Sequence, residues 1–286
     1  MKTSFIISLI LILFAFTACD IINPDEEIPA YIHVDSLEVV TDYAIEGSAS
    51  HKLSDVWISV DNKVIGGFEL PATVPVLASG NSPVLLSAGV RENGINTTRV
   101  IYKFYSTFSE MVELKPGEIT TINPTIGYFS STIFSFLEDF ESAGNDFTET
   151  PLSTAELTFV NDPALVFEGS KSGLIEINDT EKFIEMRSTS FVIDIGKTDV
   201  FVEMNYRCNQ IFQVMLLSNN VVGGQATLDP IITLLPKENW NKIYIDLTEP
   251  IGLLGGDFFN LTIQAEKQDT VPMGKIYLDN FKVVHQ

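Results

Sequence analysis

Apolar and polar residues alternate in short runs along most of the chain, and turn residues separate these runs. Alternation is typical of a half-buried β-strand, because successive side chains point to opposite faces of a sheet. Every second residue from Val200 to Cys208 is apolar, for example. We find no convincing amphipathic helix, so the pattern predicts an all-β protein built from sandwiches or barrels.

The predicted strands fall into two blocks, each long enough to form a domain with its own core. Residues 29–128 are expected to form a sandwich of about seven strands, with hairpins that turn at residues 61–63 and 115–118. An aromatic-rich segment at residues 102–108 predicts core and inter-domain contacts, with a ligand platform as the alternative. The run DVWISVDNKVIG followed by LLSAG resembles immunoglobulin-like or prealbumin-like modules of bacterial surface proteins.

The second block, residues 136–286, carries four sequence elements in a fixed order. FLEDFES opens the block, GSKS precedes a predicted strand, Trp240 opens a W-x-x-I strand and YLDN lies in the last strand. Together they resemble jelly-roll carbohydrate-binding modules and related galactose-binding-like domains. The resemblance implies a second β-sandwich, with jelly-roll topology and a glycan ligand.

Residues 1–18 have the layout of a signal peptide, since Lys2 precedes an apolar run that is too short to span a bilayer. The sequence FTAC resembles the lipobox of bacterial lipoproteins, which implies cleavage before Cys19 and acyl chains on its sulfur. Two or three such chains would hold a protein at a membrane. An ordinary cleaved signal is the alternative.

Residues 19–28 are expected to form a flexible tether, because they carry Pro24 and several acids without periodicity. Asp25, Glu26 and Glu27 resemble the export signal of Bacteroidota-type lipoproteins, which implies the outer membrane and a surface-exposed position. A solvated linker is the alternative interpretation of these acids.

The formal net charge is −21, from 38 acidic and 17 basic residues. Such a chain is not suited to neutralising phosphates, which excludes nucleic acid as the expected partner, and it is repelled by anionic lipid. The acyl chains therefore remain as the expected membrane contact. Cys208 has no cysteine partner once Cys19 is lipidated, and its place in an alternating strand predicts a buried, inert thiol.

The jelly-roll resemblance also implies a structural calcium site. The matching residues are Glu141 of the opening segment, Asp279 of YLDN and backbone carbonyls from Gly169 to Lys171. Calcium binds six to eight hard oxygen ligands of this kind. Asp139 is a second candidate, because it shares a strand face with Glu141. The alternative is that these carboxylates are solvated edge residues.

Polar residues alternate opposite the apolar positions in three strands of the second block, FVEMNYRCN, NWNKIYIDLT and FFNLTIQAE. If these strands are neighbours, one sheet offers amides, carboxylates, an arginine and an aromatic ring, which suits sugar recognition. The expected contacts are Arg207 and Tyr244, together with Asn205 and Gln264. The ordinary wet side of an antiparallel sheet gives the same alternation.

Catalytic signatures are weak in this sequence. The histidines at positions 33, 51 and 285 lack metal-ligand spacing, and no G-x-S-x-G elbow is present. EINDTE, residues 176–181, resembles the E-x-D-x-x-E motif of jelly-roll glucanases, but Asp179 falls on the wrong face, so we interpret residues 178–180 as a turn. The sequence thus predicts an exported lipoprotein that binds glycan and is not an enzyme. The alternative is a structural or adhesive subunit of a cell-envelope complex.

Overall fold

The structure, a computed structural model, describes residues 26–194, 199–222 and 225–286. The predicted signal peptide, Cys19 with its predicted acyl chains, and the tether up to residue 25 lie outside the described residues. Among the described residues, no helix combines the length and the apolar character that a membrane crossing requires.

The first sandwich packs a three-stranded sheet, in the order β5-β1-β9, against a five-stranded sheet in which β4-β3-β6-β7 are joined by β8 beside β6. A short parallel pair, β2 and β10, and one turn of helix complete it. The elements are β1 Ala30–Val34, β2 Glu38–Val39, α1 Tyr43–Glu46, β3 Asp55–Val60, β4 Lys63–Glu69, β5 Ala72–Val76, β6 Gly80–Arg91, β7 Arg99–Ile101, β8 Phe108–Leu114, β9 Ile119–Thr121 and β10 Thr125–Ile126.

One of the two predicted hairpins is confirmed and the other is wrong. β3 and β4 pair across a tight turn in which Asp61 and Asn62 both have positive φ, the conformation that matches the twist of paired strands. At residues 115–118 the chain does turn, with Gly117 at φ 82°, but β8 pairs with β6 whereas β9 pairs with β1 in the other sheet. The turn therefore crosses between sheets.

The second sandwich is a jelly roll of two six-stranded sheets. We call the sheet β13-β14-β22-β17-β20, with β11 also on β22, the back sheet, and the sheet β12-β15-β21-β18-β19, with β16 also on β21, the front sheet. The elements are β11 Ile133–Glu138, β12 Phe147–Glu149, β13 Leu157–Val160, β14 Ser172–Ile177, β15 Phe183–Ser188, β16 Phe191–Val192, β17 Val200–Cys208, β18 Phe212–Val222, β19 Gln225–Leu234, β20 Lys237–Asp246, α2 Thr248–Leu254, β21 Phe258–Glu266 and β22 Gly274–His285.

The inner faces of the front and back sheets enclose one hydrophobic core. The apolar face of β17 contributes to it as predicted, and Cys208 is a buried free thiol whose pKa is raised by burial. The turn predicted at residues 178–180 is confirmed, because the Asn178 side chain accepts hydrogen bonds from the backbone N–H groups of Thr180 and Glu181.

The first sandwich covers part of the outer surface of the back sheet. Phe201, Tyr244 and Val284 project from that surface into the core of the first sandwich. Tyr102 of the aromatic-rich segment meets two of them edge to face, with ring centroids 5.6 Å from Phe201 and 4.8 Å from Tyr244. The predicted inter-domain contact of this segment is therefore confirmed.

Candidate functional site

The structure separates the residues that were predicted to share one binding face. Tyr244 and Asn205 lie on the outer surface of the back sheet, where the first sandwich buries both. The Tyr244 hydroxyl accepts a hydrogen bond from the backbone N–H of Lys52 at 3.0 Å, and Asn205 Oδ1 accepts one from the Ser50 hydroxyl at 3.0 Å. The predicted open face is wrong at these two residues, because the first sandwich covers both side chains. Tyr244 lines the groove between the sandwiches instead.

Charged residues that the sequence analysis missed lie at the centre of the same junction. The Glu203 carboxylate is fully buried and accepts hydrogen bonds from the Tyr102 and Tyr128 hydroxyls, at 2.6 and 2.7 Å. Burial raises the pKa of Glu203, but Lys242, Lys282 and the two hydroxyls outweigh burial and hold the pKa below its usual range. This network connects the two sandwiches through buried charged and hydroxyl groups.

Arg207 lies on the same surface beyond the first sandwich and remains half-buried. Its guanidinium group is 5.5 Å from the centroid of the Tyr277 ring. Both residues line a shallow cavity of about 550 Å³ at the end of the back sheet. Arg207 is therefore accessible, but it is not close to Gln264, whose strand β21 belongs to the front sheet.

The predicted calcium residues come together only in part. Glu141 does meet the 169–171 segment, but the backbone N–H groups of Ser170 and Lys171 both donate to its Oε1 at 2.9 Å. A calcium ion would require carbonyl oxygens at this place. The segment presents N–H donors to Glu141 instead. The geometry therefore does not support calcium binding by Glu141 together with the carbonyls of Gly169 and Lys171.

The other two predicted ligands bind separate partners. Asp139 accepts hydrogen bonds from the Tyr43 hydroxyl and from the backbone N–H of Glu141. Asp279 is buried and accepts hydrogen bonds from the Ser172 hydroxyl at 2.6 Å and the Asn280 N–H at 2.8 Å. In the described part of the chain no three His, Cys, Asp or Glu side chains form a metal-binding group. Calcium binding stays a prediction.

The outer surface of the front sheet, which we call the front face, carries a row of hydrogen-bonded polar side chains. The strand register places Glu185 beside Gln264, Gln264 beside Gln213, and Gln213 beside Thr233. Gln264 Nε2 donates to Glu185 Oε2 at 3.1 Å, and Gln213 Nε2 donates to the Thr233 hydroxyl at 3.3 Å. We call these four residues the polar row.

Arg187 extends the polar row toward the next register position. It lies two residues after Glu185 on the same face of β15, and its guanidinium donates to Glu185 Oε1 at 2.8 Å. The Arg187 side chain keeps 39% of its surface exposed, whereas Glu185 keeps 5%. Opposite Arg187 in the register lies Thr262, whose buried hydroxyl has no hydrogen-bond partner in the described part of the chain. The face thus offers an ordered carboxylate, amides and an accessible guanidinium group.

Aromatic residues occupy opposite ends of the front face. Phe183 precedes Glu185 on β15 and is half-buried, and Phe258 begins β21 with 46% of its surface exposed. Of the polar row, the sequence analysis named only Gln264 as a ligand contact. The signal for Glu185 and Arg187 was the alternation in FIEMRS, and for Gln213 the alternation in FQVMLL.

Comparisons with known proteins give weak similarities only. No known family profile matches the chain. No curated protein matches it either.

Among solved structures, a family 22 carbohydrate-binding module of Clostridium thermocellum xylanase Xyn10B is 16% identical over 53% of this chain and 94% of the module, with a TM-score of 0.37. A carbohydrate-binding module of the β-sandwich superfamily is 14% identical over 91% of this chain and 99% of its own, with a TM-score of 0.41. TmCBM61 in complex with β-1,4-galactotriose is 8% identical over 49% of this chain and 87% of that chain, with a TM-score of 0.33. The fold assignment rests on the sheet topology and the two cores, and not on these similarities.

Proposed function

We propose that this protein binds a glycan along the front face of its jelly roll and does not transform it. The observation that carries this proposal is the polar row, in which carboxylate, amide and hydroxyl groups lie side by side on four neighbouring strands and are held in two hydrogen-bonded pairs. Sugar hydroxyls both donate and accept hydrogen bonds, so they match a surface that supplies both kinds of group.

The side chains of the polar row are held in fixed positions, which favours a ligand-binding surface over an ordinary solvated sheet face. Gln264 and Arg187 are fixed by Glu185 before any ligand arrives, which lowers the entropy lost on binding. Both keep part of their surface accessible, and Phe183 and Phe258 offer apolar rings at the two ends of the face. A pyranose ring has an apolar side that can pack on such rings.

Binding without turnover follows from the chemistry of the single carboxylate in the row. Glycoside hydrolysis requires two carboxyl groups that flank the scissile bond, one of them able to give a proton. Glu185 is the one carboxylate of the polar row, and Arg187 and Gln264 donate to its two oxygens. Glu185 therefore positions Arg187 and Gln264 for a ligand, and the polar row supplies no second carboxyl group for hydrolysis.

A glycan array followed by calorimetry tests this proposal, using residues 19–286 with Cys19→Ser to avoid lipidation. We expect Arg187→Ala and Gln264→Ala each to weaken binding of the identified glycan by about tenfold, the effect of one lost hydrogen bond to a charged or amide group. Arg207→Ala, a matched change on the back sheet, should leave affinity unchanged. Absence of any bound glycan, or equal losses in Arg187→Ala and Arg207→Ala, would contradict the proposal.

We also propose that acyl chains on Cys19 hold the protein at the bacterial outer membrane, with the sandwiches on the cell surface. The support is the lipobox-like FTAC sequence and the acidic tether behind it. Mass spectrometry of the purified N-terminal peptide should find a diacylglycerol adduct on Cys19, and Cys19→Ser should release the protein from membranes. An unmodified N-terminus beyond residue 19 would contradict the anchor without bearing on the front face.

A further inference from the structure

A second cavity, of about 590 Å³, lies in the groove where the two sandwiches meet and reaches the edge of the front sheet at Thr233. Its wall from the first sandwich includes the loop that follows β6. That loop is fixed on β20, since the Asn93 N–H donates to the Tyr244 carbonyl at 2.8 Å and Asn93 Oδ1 accepts from the Asp246 N–H at 3.0 Å. The groove is therefore a preformed feature. Among the residues that line it are Lys52, Arg91, Asn96, Leu235, Lys237 and Asn241.

The charge of this interdomain groove is opposite to the charge of the chain. Acidic residues outnumber basic ones by 38 to 17 in the sequence, yet the groove is lined by four basic residues, of which Lys242 is paired with the buried Glu203, and by the single carboxylate of Glu69. That carboxylate is already shared, with Arg91 at 2.7 Å and Arg99 at 3.0 Å. An excess of positive charge in so acidic a chain is a distinct feature of this groove.

Two of the lining cations have no counter-ion among the residues that the structure describes. Within the described residues neither Lys52 nor Lys237 forms an ion pair, and Lys52 Nζ donates to the neutral Asn241 Oδ1 instead. Loss of solvent lowers the pKa of Lys52 first, and the positive charges of Lys237 and Arg91 lower it further. Like charges held together at the mouth of a cavity are stabilised when an anion binds between them.

Further polar and apolar groups face the same space. Arg91 Nε is buried without a hydrogen-bond partner, although the two terminal nitrogens of this guanidinium group donate to Asn96 and Glu69. The amides of Asn96 and Asn241 supply neutral donors and acceptors, and Leu235 adds an apolar wall with 63% of its surface exposed. Cations, amides and an apolar wall together match a ligand that carries one anionic group among hydroxyls.

We propose that the interdomain groove binds an anionic sugar, of which a uronic acid residue is the simplest form, with its carboxylate between Lys52 and Lys237. This inference rests on the proposed function in taking the ligand to be a saccharide, but it assigns the acidic unit to the lysines of the groove, which borders the polar row at Thr233 and does not include Arg187. The groove would then bind acidic glycans in addition to the glycan of the polar row.

Calorimetry with trigalacturonate and with neutral galactotriose tests this inference on residues 19–286 carrying Cys19→Ser. The double variant Lys52→Gln/Lys237→Gln should weaken trigalacturonate binding by about tenfold and reduce its salt dependence, because two cations near one carboxylate are lost. The control Lys63→Gln/Lys115→Gln makes the same change in net charge on exposed turns of the first sandwich and should leave affinity unchanged.

The outcomes separate this inference from the front-face proposal. Trigalacturonate binding that survives Arg187→Ala but not Lys52→Gln/Lys237→Gln supports the groove, even if no neutral glycan binds. Binding that is lost in Arg187→Ala and kept in the groove variant overturns the groove while it supports the front face. Equal affinity in the groove variant and the lysine control overturns the inference, and so does the absence of trigalacturonate binding at millimolar concentration.

Discussion

The Glu203 carboxylate lies 2.9 Å from the Lys242 ammonium group, and both side chains are almost completely buried between the two sandwiches. Glu203 and Lys242 belong to neighbouring strands of the back sheet, whereas the tyrosines that donate to Glu203 belong to the first sandwich. The charged pair of one domain therefore depends on hydroxyl groups of the other. A buried pair of this kind is costly to break, because each charge left alone is not solvated.

The first prediction concerns this pair. Glu203→Gln should lower the free energy of unfolding by about 3–5 kcal/mol, because the Lys242 charge remains buried without its partner. Urea unfolding measured by fluorescence gives the value. Glu110→Gln, an exposed position on β8, is the matched control and should change stability by less than about 0.5 kcal/mol.

A second variant separates loss of the pair from loss of packing. Lys242→Met together with Glu203→Gln removes both charges and should recover part of the stability lost in Glu203→Gln alone. If the double variant is as unstable as the sum of its two single changes, the pair is not coupled in the way that the geometry indicates.

The second prediction concerns pH. Burial raises the pKa of Asp279 to about 7, and the hydrogen bonds from Ser172 and the Asn280 N–H reduce this effect only in part. The folded state therefore holds a proton at Asp279 that the unfolded chain releases near pH 4. Its stabilising contribution is complete below that pH and is lost as the pH rises through about 7, by at most about 1.4 kcal/mol per pH unit.

Asp279→Asn removes this contribution, since an amide does not ionise. The difference in unfolding free energy between Asp279→Asn and the parent chain should move in favour of the variant between pH 4.5 and pH 6.5, as measured by urea unfolding in EDTA. EDTA excludes stabilisation of the ionised carboxylate by a metal ion. If the unfolding free energies of the two chains change with pH in parallel, Asp279 is ionised throughout this range.

The third prediction concerns a close approach between neighbouring strands. A Cβ atom at Gly89 would lie 2.8 Å from the Cβ of Asp55 and 3.1 Å from its backbone oxygen. Gly89→Ala should therefore destabilise the first sandwich by about 1–3 kcal/mol, because backbone cannot move aside as a side-chain end can. Thermal unfolding checks this value.

Gly252→Ala is the matched control, because a Cβ atom added at this position in α2 would have no described neighbour within 4 Å. The same substitution there should be neutral or should stabilise by about 0.5–1 kcal/mol through helix propensity. Equal losses at both positions would mean that the contact with Asp55 is not the cause.

The fourth prediction concerns the free thiol. Cys208 is 4% exposed and burial raises its pKa, so in a Cys19→Ser chain it should react with Ellman's reagent only after unfolding in urea. Ser190→Cys adds a thiol at an exposed position and should react within minutes under native conditions. Rapid reaction of Cys208 in the native protein would show that the second core opens readily.

The sequence predicted the strands well because alternation reports the core directly. The apolar side of β17 was assigned correctly, since Val202 and Met204 pack between the front and back sheets. The opposite side of β17 was not assigned correctly. Alternation indicates that Glu203 and Asn205 face away from the core of the jelly roll, but it does not reveal that the first sandwich covers them. Only the presence of Phe201 on the same side indicated that part of this face contacts another apolar surface.

The local pattern of apolar and polar residues could not predict which sheet a strand joins. β20 and β21 follow one another in sequence, yet they lie in opposite sheets of the jelly roll, so Tyr244 and Gln264 face different directions. That placement depends on pairings across long sequence distances, such as β21 with β15. For the same reason the polar row could not be assembled in advance, since its four members come from four strands whose neighbours are set by topology.

The position of β22 has a consequence for biosynthesis. This strand pairs with β11, β14 and β17, so the middle of the back sheet is supplied by a strand that is synthesised after the other described strands of the sandwich. Until residues 274–285 have been translated, β14 and β17 lack a neighbour and the charged junction with the first sandwich lacks Lys282. The hydrophobic core of the jelly roll therefore cannot be completed until β22 has been synthesised.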